Sequence, residues 1–248
     1  MWFKIVLMQS IVVDIAGVIV RISYSYERNK KRYESFESFR EPQYDISISQ
    51  SRRIEEIKLL QASYTQKLIS EEEAEDNALY RELSELLWKE GALLFHGVLL
   101  SVEDNGFIFT APSGVGKSYH AQLWASEFGD KVNIINGDKI LLKNESGVLW
   151  GYGTPWKGKE RIGNNSCVKI KAICHLNRGE LNEIRRINRK SEAISWLVEQ
   201  SMLNERQYYI LSLIRWFNAS LHNVELYELK CNMNSDAAIV AYTAMNKR

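Results

Sequence analysis

The chain has 248 residues, 45% of them hydrophobic and 25% charged, which is typical of a globular protein of one or two domains. The formal net charge of +1 gives no overall field that would favour nucleic acid, so we expect no nucleic-acid partner and only local recognition of anions. The three cysteines form no Cys-x-x-Cys pair, which argues against a zinc site or a disulfide framework and favours the cytoplasm.

The N-terminal segment is apolar enough to raise the question whether it forms a membrane-spanning helix. Residues 5–22 are interrupted by Asp14 and Arg21, and a membrane helix would place Asp14 near the bilayer centre at a cost of several kcal/mol. We therefore expect no membrane segment and predict two strands, Ile11–Ile15 and Val18–Tyr24, joined by a turn at Gly17.

Residues 1–90 predict a small α/β domain without a chemical signature, suited to packing or to docking a partner. Residues 27–39 predict a short helix whose apolar stripe contains Tyr33, Phe36 and Phe39, and residues 44–49 alternate as a half-buried strand does. Residues 52–69 remain open between a strand and a helix. The helix would place four side chains on one face: Ile54, Ile57, Leu60 and Tyr64.

A long helix is predicted to link this domain to the rest of the chain. Ser70 and Glu73 have the spacing of a capping box, and leucines repeat at helical spacing from Leu79 until Gly91 ends the helix. Residues 92–102 then form an apolar run broken by His96 and Gly97, and Asn105-Gly106 is a strong hairpin signal. Residues 107–109 are therefore predicted to be the second arm of an antiparallel hairpin.

The stretch from Gly106 to Ser118 predicts a strand, a glycine-rich loop and a helix with Ala121, Trp124, Ala125 and Phe128 on one face. A phosphate-binding loop needs this order, since backbone N–H groups, a helix N-terminus and a lysine converge on phosphate oxygens while a hydroxyl ligates Mg²⁺. Ala111 replaces the glycine that usually opens the pattern. The alternative is a glycine-rich turn with a solvated lysine. The residues predicted to bind the nucleotide are Ser113, Gly114, Val115, Gly116, Lys117, Ser118 and Tyr119.

Asp138 follows a short apolar strand, residues 132–135, where a second Mg²⁺ ligand is expected beside Ser118. The alternative is an ordinary turn aspartate. Two strands at 140–142 and 148–152 lead to the segment 153–161.

That segment contains three cations, Lys157, Lys159 and Arg161, spaced by glycine and next to Trp156. It predicts a mobile loop that closes on a polyphosphate and neutralises developing charge, or else a solvated surface loop. Asn164 and Asn165 could extend the same site.

The remaining residues predict structural elements. They are a strand at 168–176, a helix at 191–203, a helix at 209–221 with an apolar stripe from Ile210 to Phe217, a strand at 224–229 and a terminal helix at 235–245.

The residues from Leu93 to the C-terminus resemble the HPr kinase/phosphorylase family, which shares a core with the phosphoenolpyruvate carboxykinases. The resemblance depends on His96-Gly97-Val98, the Asn-Gly hairpin, the segment Ala111–Ser118 and Asp138 at a strand end. The Gly-Thr-Pro-Trp segment at 153–156 is similar to a subgroup related to HPr kinase. The resemblance implies an α/β fold with a mixed-sheet, P-loop core over 91–248, in addition to the small α/β domain over 1–90.

The resemblance also implies roles for individual residues. Gly114, Gly116 and Lys117 would hold the nucleotide phosphates, Ser118 and Asp138 would hold Mg²⁺, and His96 would lie beside the transferring phosphoryl group. The family has two adjacent aspartates at the strand end, the first of them proposed as the base. This chain has Gly137 there, which leaves three candidates for the base: Asp138, His96 or Glu160.

The sequence therefore predicts an ATP-dependent, Mg²⁺-requiring kinase. Its catalytic residues would be Asp138, His96, Lys159 and Arg161, and its acceptor a hydroxyl, with serine of a protein or peptide expected. Two alternatives are a small-molecule kinase or carboxykinase-like enzyme and a nucleotide-sensing module without catalysis. The family's oligomers make a homo-oligomer a further expectation.

Overall fold

The structure, a computed structural model, describes residues 8–63, 68–203 and 209–247. The chain divides into two compact units, Met1–Glu90 and Gly91–Arg248. Residues 5–7 of the apolar N-terminal segment and the predicted helix-face residue Tyr64 lie outside the described residues. Within those residues, no helix is both long enough and apolar enough to cross a membrane.

The first unit contains a sheet with the order β1-β2-β3, formed by Gln9–Ile15, Val18–Tyr24 and Tyr44–Ser47 among the described residues. The predicted turn is confirmed, because Ala16 and Gly17 have φ values of 54° and 84° between antiparallel β1 and β2. Asp14 accepts a hydrogen bond from the Gly17 N–H at 2.8 Å. The carboxylate that argues against a membrane helix therefore stabilises the turn of a hairpin.

The helices of this unit are α1 (Glu27–Tyr33), α2 (Gln50–Ser63) and α3 (Glu71–Lys89), and a 3₁₀ turn, Glu34–Phe36, follows α1. The capping box predicted at the start of α3 is confirmed, because both of its hydrogen bonds between Ser70 and Glu73 are present. The stripe predicted across 27–39 is wrong at its end, since the helical segment stops at Phe36 and Phe39 is 98% exposed.

The segment that the sequence leaves open between a strand and a helix is helical, and its proposed apolar face is partly buried, since Ile57 and Leu60 are half-buried. Ile54 is 48% exposed, whereas Glu56 is fully buried. Glu56 is held by ion pairs with Arg52 at 3.2 Å and Arg81 at 2.9 Å. The side of α2 that is buried is therefore set by a carboxylate paired to two arginines. A search for hydrophobic periodicity does not detect such a residue.

The second unit is built on a curled mixed sheet. Its strands are β4 (Ala92–His96), β5 (Val98–Val102), β6 (Asn105–Thr110), β7 (Val132–Asn136), β8 (Lys139–Glu145), β9 (Val148–Tyr152), β10 (Cys167–Arg178), β11 (Glu183–Ile187) and β12 (Glu225–Cys231). Their order within the described residues is β4-β8-β9-β10-β6-β5-β7, with β12 paired to both β10 and β11. Strand β11 was not predicted, because only its last residue, Ile187, is buried.

Four helices of the second unit, among the residues described, complete this mixed α/β fold. They are α4 (Lys117–Phe128), α5 (Lys190–Glu199), α6 (Ile210–Ser220) and α7 (Asp236–Met245). Helix α5 is shorter than predicted because Ser201 pairs with Phe95 and the Met202 N–H donates to the Leu94 carbonyl at 2.8 Å. The stripe of α6 is confirmed at Leu213 and Phe217 but not at its first residue, since Ile210 is 42% exposed.

Strand β6 is antiparallel to β5, as predicted, and parallel to β10. Helix α4 packs on it through Trp124, whose ring centroid lies 5.3 Å from that of Phe107 and 5.2 Å from that of Phe109. The ring centroid of Trp124 also lies 5.6 Å from that of Tyr242 in α7. The buried rings of Trp124, Phe107 and Phe109 fix the position of α4 on β6.

The hairpin between β5 and β6 exists, but Asn105 and Gly106 do not form its turn. Val102 pairs with Asn105, so Glu103 and Asp104 connect the strands, and Glu103 has a φ of 54°. Gly106 is needed for another reason. A Cβ at this position would lie 2.6 Å from Val168 Cγ1 and 2.8 Å from the Lys169 carbonyl oxygen. The glycine therefore permits the close approach of β10.

We predict that Gly106→Ala destabilises the protein by about 1–3 kcal/mol, because the added methyl must displace the backbone of β10. Asn105→Ala, the matched control, changes the free energy of unfolding by less than about 0.5 kcal/mol. Urea unfolding followed by tryptophan fluorescence measures both. An Asn105→Ala variant as unstable as Gly106→Ala would mean that this pair forms the turn after all.

Candidate functional site

The loop between β6 and α4 spans residues 111–116 and contains two glycines with positive φ. Gly114 has a φ of 82° and Gly116 a φ of 124°, and a Cβ at either position would meet no atom within 4 Å. Backbone conformation rather than lack of space therefore requires glycine at both positions. Gly116 is the N-cap residue of α4, so the first N–H groups of a twelve-residue helix face this loop.

Lys117 is the first residue of α4, and its side chain is only 7% exposed. Its ammonium group donates hydrogen bonds to the carbonyl oxygens of Ala111, at 2.9 Å, and Pro112, at 3.5 Å. Burial lowers the pKa of Lys117, while the charge of Asp138 opposes that shift. The side chain of Ala111, the residue that replaces the usual glycine, lies in the hydrophobic core.

Asp138 is positioned by the turn between β7 and β8. The Asn136 side-chain oxygen accepts the backbone N–H groups of Asp138, at 2.9 Å, and Lys139, at 3.1 Å. The Asn136 amide donates to the Thr154 carbonyl at 3.1 Å, and the Thr154 hydroxyl donates to the Lys139 carbonyl. Asn136 and Thr154 are both fully buried. Sequence reasoning missed both residues, although Asn136 before Gly137 is a signal for an Asx turn.

His96 is the last residue of β4, and its ring nitrogens face two different groups. Nδ1 lies 2.8 Å from Gln200 Oε1, and Nε2 lies 3.6 Å from Asp138 Oδ1. Because an amide oxygen only accepts, Nδ1 carries the proton in the neutral ring and leaves Nε2 as an acceptor. Burial, followed by the charge of Lys117, lowers the pKa of His96 and favours this neutral form. Gln200 is a positioning residue that sequence reasoning missed.

These groups line one cleft with a volume of about 560 Å³. Most of the predicted site residues are brought together there: His96, Ser113, Gly114, Gly116, Lys117, Ser118, Tyr119, Asp138 and Lys159. Gly137, Gly158 and Glu160 also line it. Val115 lies instead in a neighbouring cavity, and the exposed residue Arg161 lines neither. The catalytic role of Arg161 stays a prediction.

The cationic segment after β9, residues 153–161, is buried in its first half and exposed in its second. Thr154 is fully buried and Trp156 is 5% exposed, while residues 158–161 are exposed. Gly158, with a φ of 71°, lies directly against the aspartate, since a Cβ there would be 2.7 Å from Asp138 Cβ. The segment thus reaches the cleft through Gly158, Lys159 and Glu160. Its predicted closing motion stays a prediction.

Gly137 occupies the position where the resembling family has its first aspartate. A Cβ at this position would lie 3.6 Å from the Ile162 carbonyl oxygen and 3.7 Å from Ile162 Cβ, which are ordinary contact distances. The structure therefore has room for a Cβ atom at Gly137. His96 and Glu160, the other candidates for the base, both line the cleft.

The donors available for a metal ion are hard oxygen ligands. Ser118 contributes a hydroxyl and Asp138 a carboxylate to the same cleft. No group of three or more histidine, cysteine, aspartate or glutamate residues that could hold a metal occurs in the described part of the chain. Two protein oxygens completed by phosphate oxygens and water suit Mg²⁺, which is seldom held by an all-protein cage.

No family model matches this chain. No curated protein matches it either. Among solved structures, it is similar to the Hpr(Ser) kinase/phosphatase from Coxiella burnetii, with a TM-score of 0.36 and 11% sequence identity over 62% of this chain and 93% of that chain. At this level of similarity, the functional assignment depends on the residues of the cleft.

We predict that two substitutions shift the pKa of His96 in opposite directions. Lys117→Met raises it because a neighbouring positive charge is lost, and Asp138→Asn lowers it because the stabilising negative charge is lost. NMR titration of the histidine ring protons measures the three pKa values. Shifts of the same sign in both variants would show that His96 responds to a general rearrangement and not to these two charges.

Proposed function

We propose that the chain is an ATP-dependent kinase that transfers the γ-phosphoryl group to a hydroxyl, with serine of a protein or peptide as the acceptor. The observation that carries the proposal is that Lys117 and Ser118, at the start of α4, share one cleft with Asp138 and His96. A triphosphate held by the first pair would present its terminal group to the second. The choice of a protein or peptide acceptor comes from the sequence resemblance.

The loop and the first turn of α4 would bind the phosphates. The N–H groups of Gly114, Gly116, Lys117 and Ser118, aided by the positive end of the helix dipole, would match the oxygens of a polyphosphate. Lys117 would exchange its hydrogen bonds with the Ala111 and Pro112 carbonyls for stronger ones to charged oxygens.

Ser118 and Asp138 would hold Mg²⁺ together with oxygens of the nucleotide. The ion would neutralise charge on the phosphates. Asp138 is suited to this role because its backbone is fixed by the buried Asn136 and because its Oδ2 atom, 2.9 Å from the Lys139 ammonium, faces a balancing charge.

His96 would accept the proton of the attacking hydroxyl, which assigns the base that Gly137 leaves open. The acceptor oxygen bonds to the γ-phosphorus while the bond from that phosphorus to the β,γ-bridging oxygen breaks, so ADP leaves and the proton moves to Nε2. His96 is neutral and oriented by Gln200, and its free nitrogen lies beside Asp138. Lys159, an exposed residue that lines the cleft, would neutralise charge on the transferring group.

We predict that Lys117→Ala weakens ATP binding by about 10- to 100-fold, the equivalent of about 1.5–3 kcal/mol for a hydrogen bond to a charged group. Lys131→Ala removes the same charge from an exposed 3₁₀ turn and is the matched control, with unchanged affinity. Asp138→Asn is expected to bind ATP with little dependence on Mg²⁺. Isothermal titration of ATP, with and without Mg²⁺, measures each affinity.

Two results would contradict the proposal. Equal affinities for Lys117→Ala and Lys131→Ala would show that the triphosphate does not contact the loop. Tight MgATP binding by the wild type, without transfer of labelled phosphate to any acceptor peptide, would favour the nucleotide-sensing module over the kinase.

A second prediction concerns Gly158, whose contact with Asp138 leaves no space for a side chain. Gly158→Ala is expected to displace Asp138 and to weaken Mg²⁺ binding in the presence of ATP by about 10-fold, the usual effect of disturbing the support of a metal ligand. Gly147→Ala is the matched control, because Gly147 has a similar φ of 83° but no atom near its Cβ position. Titration of Mg²⁺ into the ATP complex compares the variants, and equal losses would attribute the effect to backbone strain alone.

A further inference from the structure

A second cavity, with a volume of about 470 Å³, lies beside the loop that precedes α4. Its loop side is formed by Gly114, Val115 and Gly116, and its walls are mostly apolar. Leu123 of α4, Leu176 of β10 and Met233 after β12 contribute to those walls. A cavity of this size and polarity is suited to a small organic group rather than to a polyphosphate.

The cavity and the cleft share three residues of the loop and helix: Gly114, Gly116 and Tyr119. One elongated ligand bound along the loop would therefore reach into both. The charged groups Lys117 and Asp138 line the cleft and not the cavity. The triphosphate of such a ligand belongs to the cleft, and its uncharged end belongs to the cavity.

Two hydrogen bonds connect residues that line the cavity. Arg178, the last residue of β10, donates a hydrogen bond from Nη2 to the Gly114 carbonyl at 2.6 Å. The Tyr119 hydroxyl donates to the Met233 carbonyl at 3.0 Å. Direct hydrogen bonds thus connect Gly114 of the loop to the end of β10 and Tyr119 of α4 to the segment that follows β12.

A buried histidine in the wall has one nitrogen without a partner. His120 is 2% exposed, and its Nε2 accepts a hydrogen bond from the Trp124 indole at 3.1 Å. Because Nε2 accepts this hydrogen bond, it carries no proton, and the proton of the ring is therefore on Nδ1. Within the described residues, Nδ1 has no hydrogen-bond acceptor. Buried donors usually have partners, which points to a ligand atom.

We propose that this cavity binds the adenosine part of the nucleotide, with the base packed between Leu123 and Met233 and a ring nitrogen of the base accepting from His120. The proposal rests on the proposed function, because it assumes that the triphosphate lies along the same loop. The base then adds affinity and selects the nucleotide, while the loop and Lys117 bind the phosphates regardless of the base.

The experiment compares ATP with inorganic tripolyphosphate, which has the phosphates but no nucleoside. In wild-type protein, ATP is expected to bind at least about 10-fold more tightly than tripolyphosphate. Leu123→Trp fills the cavity and is expected to remove that difference while the affinity for tripolyphosphate stays unchanged. Equal losses for both ligands, or no loss for ATP, would overturn the proposal.

A second measurement does not depend on a substitution in the cavity. Cys231 lines the cavity, whereas Cys167 is exposed and Cys174 is fully buried. In a Cys167→Ser background, ATP is expected to slow the alkylation of Cys231 by iodoacetamide, and tripolyphosphate is not. Protection by both ligands to the same extent would overturn the assignment of the base to this cavity.

The two measurements separate this proposal from the proposed function. If tripolyphosphate and ATP bind equally, and Lys117→Ala weakens both, the phosphate site stands and the adenosine site falls. If neither ligand binds the wild type, the proposed function fails, and the adenosine site fails with it.

Discussion

The packing of Trp124 against Phe107 and Phe109 is the interaction on which the candidate site depends. The indole is fully buried, and it joins the helix that follows the loop to the strand that precedes it. Both ends of the loop are thereby fixed, and Gly114 and Gly116 adopt positive φ values between them. Any shift of α4 on β6 would move Lys117 relative to Asp138.

The other half of the cleft is fixed by buried polar groups. Asn136 and Thr154 connect the ends of β7 and β9, and together they orient the backbone of Asp138. The backbone N–H of Gly97 donates to the Asp138 carbonyl at 2.9 Å, which ties the end of β4 to the same turn. His96 and Asp138 therefore lie close together because their backbones are joined. Such a network holds the two side chains at a defined distance without an ion pair between them.

The sequence predicted the parts of the structure that local signals determine. The strand, loop and helix around residues 105–128 and the capping box at Ser70 depend on residues that are neighbours in the chain, and all are present. The parts that it did not predict depend on contacts between distant residues. Gln200 meets His96 across 104 positions, and Thr154 meets Asn136 across 18. The local sequence at Gly106 indicates a turn, whereas the contact that requires glycine there, with the backbone of Lys169, is remote in the sequence.

The central claim is that one cleft holds the nucleotide phosphates between the loop and Asp138. A crystal structure with Mg²⁺ and a non-hydrolysable ATP analogue tests it most directly. We expect the β- and γ-phosphates over Gly114–Ser118, the metal ion between Ser118 and Asp138, and the γ-phosphate within reach of His96. An analogue bound elsewhere, or a metal ion that contacts neither Ser118 nor Asp138, would contradict the account.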